Sequence, residues 1–262
     1  MHPVFLKIGS FELATYGLMT ALGYIAASLY LLPRAQKVNI DKDTFWNLIF
    51  TLFVGAIVGA KLLFIIVSWS QLGATLAEKL ATIVKNFRYG FVFFGGMIVA
   101  VGALIGYMKH KKLPILKTSD FLIVGLPLGH ALGRIGCFCA GCCYGRPTSM
   151  PWGVTFTHPQ ALVPPELMGV ALHPTQLYEC AGNLLLFVLL HFAYKRPHKD
   201  GAILVTYIFA YSLMRFVIEF FRGDFRGNFL LGLSPSQCIS LGAAAIALII
   251  WLKFLRTKKQ HA

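Results

Sequence analysis

Long apolar runs separated by short polar connections dominate the chain. They fall at about 13–32, 45–68, 90–108, 121–138, 175–194, 201–221 and 235–254, and each is long enough for a helix to cross a hydrocarbon core. Backbone polar groups in lipid must be satisfied within the segment, so the pattern predicts seven spanning helices and an all-α integral membrane protein. The fourth run is the least uniform, because His130 and Arg134 interrupt it. Two connections carry more pattern than a turn. Between 71 and 85, Leu72, Leu76, Leu80, Ile83 and Val84 recur at helical spacing with charges between them, which predicts a helix lying in the membrane interface. Residues 146–172 are rich in Pro, Gly and Thr and predict a small irregular cap on the side where the fourth run ends.

Composition agrees with this pattern. The chain has 262 residues, 57% hydrophobic and only 13% charged, against roughly 25% charged in a soluble domain. No linker, repeat or low-complexity tract divides it, so one transmembrane domain over residues 1–262 is expected. The start, Met1-His2-Pro3-Val4-Phe5-Leu6-Lys7, lacks the basic segment and small-residue cleavage site of a signal peptide, so the first run is expected to stay in the mature protein.

The net charge of +14 raises nucleic acid as a partner, but the basic residues sit in short clusters between apolar runs, which argues against it. One alternate set of connections holds Arg34, Lys37 and Lys42; Lys109, Lys111, Lys112 and Lys117; Lys195, Arg196 and Lys199; and Lys253, Arg256, Lys258 and Lys259. The opposite set holds half as many: Lys7; Lys79, Lys85 and Arg88; Arg146; Arg222 and Arg226. By the positive-inside rule the first set is cytoplasmic, the N-terminus is outside and the C-terminus is inside. The cap then lies on the outer side.

The polar residues that break the apolar pattern are the candidates for chemistry. Residues 129–145 surround Arg134 with glycines and four cysteines. An arginine in lipid is costly and marks a site, a snorkelling helix end or a helix-packing ion pair. Arg215, Glu219 and Arg222 are spaced i, i+4 and i+7 and are expected on one helix face. Two guanidiniums around one carboxylate leave a surplus suited to phosphate. His173 and Pro174 open the fifth run, and Glu179, one turn in, can pair with an arginine. Tyr16 suits an aromatic belt and Gly95-Gly96 close packing or a kink. Cys137, Cys139, Cys142 and Cys143 are dense, but C-x-C-x2-C-C lacks the paired knuckles of a zinc finger. Packing, a disulfide and an activated nucleophile at Cys142 or Cys143 remain as readings.

Together these motifs resemble the bacterial prolipoprotein diacylglyceryl transferases. The family's Y-G-L-M matches Tyr16-Gly17-Leu18-Met19, and G-A-[RK]-L matches Gly59-Ala60-Lys61-Leu62, with lysine for the usual arginine. G-R-[IL]-G matches Gly133-Arg134-Ile135-Gly136, H-P-[ST]-Q-L-Y-E is complete from His173 to Glu179, and R-x-x-x-E-[FY]-x-R runs from Arg215 to Arg222.

The resemblance implies transfer of a diacylglyceryl group from phosphatidylglycerol to the lipobox cysteine of a prolipoprotein signal peptide, at the outer face of the bacterial inner membrane. It requires no metal or organic cofactor, and its partners are these two substrates and membrane lipid. It assigns chemistry to Arg134, Arg215 and Glu219, and substrate contacts to Tyr16, Gly95, Gly96, Gly133, Gly136, Gly145 and Arg222. Two positions depart from the family pattern. Phe94 stands where G-x-x-[FY]-H-G-G has a histidine, so a proton acceptor is sought in His130 and His173. Cys137-Phe138-Cys139-Ala140 replaces Asn-Phe-x-Asn. Two other readings keep the fold: another acceptor, with Cys142 or Cys143 as a covalent carrier, or an anionic-lipid-binding protein without catalysis.

Overall fold

The apolar runs become helices where their ends can be capped. The computed structural model describes residues 2–9, 11–87, 90–224 and 232–259; Arg88 and Arg226 of the expected outer charge set lie outside them. The helices are α1 (Thr15–Ala35), α2 (Lys42–Val67), α3 (Leu76–Lys85), α4 (Phe93–His110), α5 (Ile115–Ile123), α6 (Leu126–Ala140), α7 (Thr175–Tyr194), α8 (Ala202–Glu219) and α9 (Pro235–Lys259). Among the described residues, seven helical stretches are long and apolar enough to cross a membrane. They match the seven expected runs, and the chain is an all-α, multi-pass membrane protein.

Two local features differ from expectation. The fourth span runs from Ile115 to Ala140, starting earlier than predicted, and it is interrupted near Gly125 rather than at His130 or Arg134. Pro127, in the first turn of α6, has no N–H to continue the ladder from α5. Ahead of the first span, β1 (Val4–Ile8) and β2 (Phe11–Ala14) form an antiparallel hairpin that the sequence pattern did not predict and that overlaps the expected run only at Leu13 and Ala14. Gly9 turns it with a φ of +57°, and the Thr15 amide donates to the Pro3 carbonyl at 2.9 Å, fixing where helix replaces strand.

The chain divides into two compact units, Met1–Pro33 with Ser119–Ala262, and Arg34–Thr118. In the first, α1 and α6 approach closely through glycines. A Cβ on Gly136 would lie 3.1 Å from Tyr16 Cα, and one on Gly129 would lie 3.0 Å from the Gly23 carbonyl oxygen. Val124, Leu186, Leu190, Ile203 and Tyr207 form a core between the α5–α6 junction, α7 and α8. The buried Asp120 carboxylate accepts from the amides of Gly201 (2.6 Å) and Leu204 (2.8 Å), capping the start of α8. The expected cap follows α6. The short ladder β3 (Val154–Thr155) and β4 (Ala171–Leu172) closes over Phe156, Val163 and Leu172.

In the second unit, α2 and α4 pack along Gly55, Gly59, Gly95 and Gly96. The helix expected between 71 and 85 is present as α3. Thr75 and Glu78 form a reciprocal capping box, and Leu76, Leu80 and Val84 are exposed. Leu72 falls outside the helix and is buried instead. Lys61 is buried, with its ammonium 5.2–5.4 Å from the ring centres of Phe64, Phe87 and Phe91 and donating to the Asn86 carbonyl at 3.3 Å.

Gly59→Ala would push a methyl into the Gly95 carbonyl and Val99, whereas Gly102→Ala meets open space. The first should cost about 1–3 kcal/mol as an overpacked contact. Thermal unfolding of the detergent-solubilised protein should fall for Gly59→Ala and stay unchanged for Gly102→Ala.

Candidate functional site

Glu179 is the centre of the first unit's polar chemistry. His173 and Pro174 lead into α7 and Thr175–Glu179 occupy its first turns, with Thr175, Gln176 and Glu179 fully buried. Three arginines converge on the Glu179 carboxylate. Arg134 from α6 brings Nε to 2.5 Å of Oε2, Arg215 from α8 brings Nη1 to 3.4 Å of Oε1, and Arg222 brings Nη1 to 3.4 Å of the same oxygen. Glu219 joins from the end of α8, 2.6 Å from Arg215 Nη2, and Asp224 lies 2.7 Å from Arg222 Nη2. Ser234, ahead of α9, donates its hydroxyl to Glu219 at 2.8 Å.

This geometry corrects the sequence reading in two ways. First, α8 ends at Glu219, so Arg222 lies in the turn beyond the helix, although its Nε still comes within 3.7 Å of Glu219 Oε2. The chain turns there, and Arg222 pairs in a backbone bridge with Gly145. The amide of Arg146 donates to Phe221, that of Gly223 to Tyr144, and that of Gly145 to His173. Any side chain on Gly145 or Gly223 would strike this backbone crossing. Second, among the described residues Arg134, Arg215 and Arg222 form no guanidinium surplus. Glu179 and Asp224 supply the missing carboxylates, and the three arginines meet three acids. What the cluster retains is unused hydrogen-bonding capacity. Arg215 Nη1 and Glu179 Oε2 are buried without an aligned hydrogen bond, and Arg134 is the most exposed of the three arginines, at 17% of its side chain.

The histidines occupy different settings. His130, one turn before Arg134, accepts a hydrogen bond from Arg134 Nε at 3.2 Å through Nε2. A guanidinium can only donate, so the His130 ring is neutral with its proton on Nδ1. His173 contacts the Tyr178 hydroxyl at 3.0 Å, and that hydroxyl accepts from Trp152 Nε1 at 2.8 Å. His173, Tyr178, Ile218 and Phe221, with Met150 and Trp152 from the cap, line a depression of about 390 Å³.

Of the remaining sequence candidates, Gly136 is the α1 contact and Tyr16 beside it is half exposed. Gly133, next to Arg134, faces open space, and Gly145 makes the crossing to Arg222. Gly95 and Gly96 belong to the other unit, where they are buried against α2, and Phe94 is half exposed there. The anchoring roles of Thr175 and Gln176 were missed. Their side chains donate to the Cys143 and Cys142 carbonyls, both at 2.7 Å. Helix-start residues ordinarily cap their own helix, so nothing in the local sequence signals a reach to another segment.

All six cysteines are free thiols. Cys137, Cys142 and Cys143 have sulfurs within 4.8 Å of one another, while Cys139 is not part of the group. Hydrogen bonding from Cys137 and Cys142, with the Arg222 guanidinium beside it, holds Cys143 below the ordinary thiol range. Hydrogen bonding to Cys137 and Cys143 pushes Cys142 up. Burial works against the Arg222 charge, but Asp224 and the Cys143 sulfur offset this and raise its pKa.

Residues 3–253 match the family model described as prolipoprotein diacylglyceryl transferase. The chain is 36% identical over 251 residues to the phosphatidylglycerol–prolipoprotein diacylglyceryl transferase of Clostridium tetani, covering 96% of this chain and 97% of that protein. It is 34% identical to the enzyme named phosphatidylglycerol–prolipoprotein diacylglyceryl transferase 2 of Clostridium perfringens, covering 92% and 91%. Identity to the enzyme of Finegoldia magna is 31%, covering 99% and 97%.

Removing Glu179 leaves three guanidiniums sharing two carboxylates in a buried site. Breaking a buried pair in this way costs about 3–5 kcal/mol. Glu179→Gln keeps the volume and should lower the thermal midpoint in detergent well below that of Asp224→Asn, whose parent carboxylate is partly exposed.

Proposed function

Because the chain belongs to the prolipoprotein diacylglyceryl transferase family, we infer that it transfers a diacylglyceryl group from phosphatidylglycerol to a cysteine thiol of a prolipoprotein. A C–S bond forms at a glycerol carbon, the C–O bond to phosphate breaks, and glycerol phosphate leaves. The acceptor thiol is the lipobox cysteine of the signal peptide. The observation that carries the reading is the meeting of Arg134, Arg215 and Arg222 around the buried Glu179.

The reaction places extra negative charge on the departing phosphate. Preorganised guanidinium donors in a water-poor setting stabilise that charge more than the diester of the ground state. Arg134 is the first contact for the phosphate, being the most exposed, with the open face at Gly133 beside it. Arg215 follows, since Nη1 lacks an aligned acceptor. Glu219 positions Arg215 by its 2.6 Å contact, and Glu179 sets the spacing of all three arginines. Arg222 ties this layer to the Gly145 crossing.

Of the two candidate proton acceptors, His173 suits the task better than His130. The ring nitrogen His130 would use already accepts from Arg134, so protonation would set two cations against each other. His173 instead sits at the apolar depression with Tyr178 and Phe221, where a signal-peptide side chain can lie. Tyr16 of α1 and Gly136 of α6, packed against each other, form one wall of the site.

The protein is a multi-pass membrane protein, and the site's end of the first unit faces outward in the bacterial inner membrane. The charge asymmetry of the connections supports this, with the N-terminus outside and the C-terminus in the cytoplasm.

Intact mass of a lipobox peptide incubated with the purified protein and phosphatidylglycerol should rise by one diacylglyceryl group. Arg134→Gln and Arg215→Gln should each lower the rate by about 10²–10³-fold, as removal of an oxyanion donor does. No mass gain, while the Clostridium tetani relative is active in the same assay, would favour lipid binding without turnover. His173→Gln should reduce the rate more than His130→Gln if His173 takes the thiol proton; the opposite order would reassign that role.

A further inference from the structure

Cys137, Cys142 and Cys143 are brought together by the way α6 ends. Gly141 adopts a φ of +76°, the Cys142 amide donates to the Cys137 carbonyl at 3.2 Å, and the Gly141 amide donates to Phe138 at 3.3 Å. This pair of hydrogen bonds is a Schellman motif, in which the residue after the glycine comes to lie against the residue five positions before it. An apolar contact normally closes the motif; here two thiols meet. Cys143 then takes a left-handed φ of +59°, unusual for a residue with a side chain, and its sulfur joins the other two.

The backbone of this turn is clamped from outside. Buried Gln176 and Thr175 hold the Cys142 and Cys143 carbonyls at 2.7 Å, so the three sulfurs are placed by the fold and not by one another. Cys137 is buried, and Cys142 and Cys143 are partly exposed, which leaves a path of approach.

We propose that Cys137, Cys142 and Cys143 form a three-sulfur site for a soft d10 cation, with zinc(II) as the representative ion. Zinc–sulfur bonds of about 2.3 Å place three ligand sulfurs roughly 3.8–4.0 Å apart. The three sulfurs lie within 4.8 Å of one another, so small side-chain rotations reach that spacing. Binding forms three metal–sulfur bonds and releases to solvent one proton for each of the three sulfurs that is still a thiol. The product carries one negative charge, and the Arg222 guanidinium lies beside Cys143 to receive it. A soft ion is selected because every donor in the group is sulfur. The ion would staple the end of α6, which carries Arg134, to the segment that crosses Arg222 at Gly145. The site is independent of the transferase reading, since it is defined by the thiols alone.

The test uses the full-length protein, reduced and chelator-treated in detergent, titrated with cobalt(II) and then zinc(II). One equivalent of cobalt should bind per chain with a thiolate-to-metal charge-transfer band, and zinc should displace it with loss of that band. Cys139→Ser should keep both signals, and the double variant Cys142→Ser, Cys143→Ser should lose them. A second measurement needs no variant: zinc should protect Cys137, Cys142 and Cys143, but not Cys139, from alkylation read by peptide mass. The proposal is overturned if the reduced chain takes up no stoichiometric metal, if the double variant binds as well as the parent, or if zinc leaves alkylation unchanged. Recovery of a disulfide among the three thiols, with no metal uptake after reduction, also overturns it. Transfer to the lipobox peptide, measured on the same samples, reports separately on the enzymatic reading.

Discussion

A carboxylate taken out of water must find positive charge, and Glu179 finds three guanidiniums. That constraint organises the first unit. Arg134, Arg215 and Arg222 come from two helices and the segment after one of them, and no pair of them is adjacent in sequence. The single buried anion brings them to one point. Glu219 and Asp224 then complete the charge balance, Glu219 between Arg215 and Arg222 and Asp224 on Arg222 alone. A cluster built this way is neutral as a whole yet rich in donors. Such a site can receive a phosphate and respond to charge that develops on it, without the self-repulsion that three unpaired arginines would suffer.

The second constraint is backbone proximity. Gly145 and Gly223 cross so closely that neither tolerates a Cβ, and the crossing fixes Arg222 outside the helix that its spacing suggested. Glycines on α6 do the same against α1. Gly129 and Gly136 meet Gly23 and Tyr16, while Gly133, between them, faces open space beside Arg134. In a medium where burial gives helices little drive to associate, close approach and polar contacts do the work, and glycine makes the approach possible.

The second unit shows how a departure from the family motif is absorbed. Lys61, where the usual residue is arginine, is enclosed by Phe64, Phe87 and Phe91, with carbonyls of Asn86 and Phe87 as acceptors. An ammonium suits an aromatic enclosure with a few carbonyls better than it suits a bidentate carboxylate grip. Phe94 is half exposed and has no proton to exchange, so the acid–base chemistry of the reaction rests with other residues.

What the sequence determined by itself was the set of spans and most of the charged and histidine candidates. Apolar length is a local property, and the lack of water in a bilayer obliges each span to close its own hydrogen bonds, so seven helices could be read without any tertiary information. Motif order along the chain likewise pointed to Arg134, Arg215 and Glu219. The three-dimensional structure decided who pairs with whom. Helical spacing continued α8 through Arg222, which instead lies in the turn beyond its end, and counting charges between neighbours gave a cationic surplus that Glu179 and Asp224 remove. The thiols followed the same rule. Linear spacing separated Cys137 from Cys142 and Cys143, and a left-handed glycine folded them together. Local pattern governs elements because their hydrogen bonds are local. Charge pairing and sulfur clustering are settled between elements, where distance along the chain carries no information about distance in space.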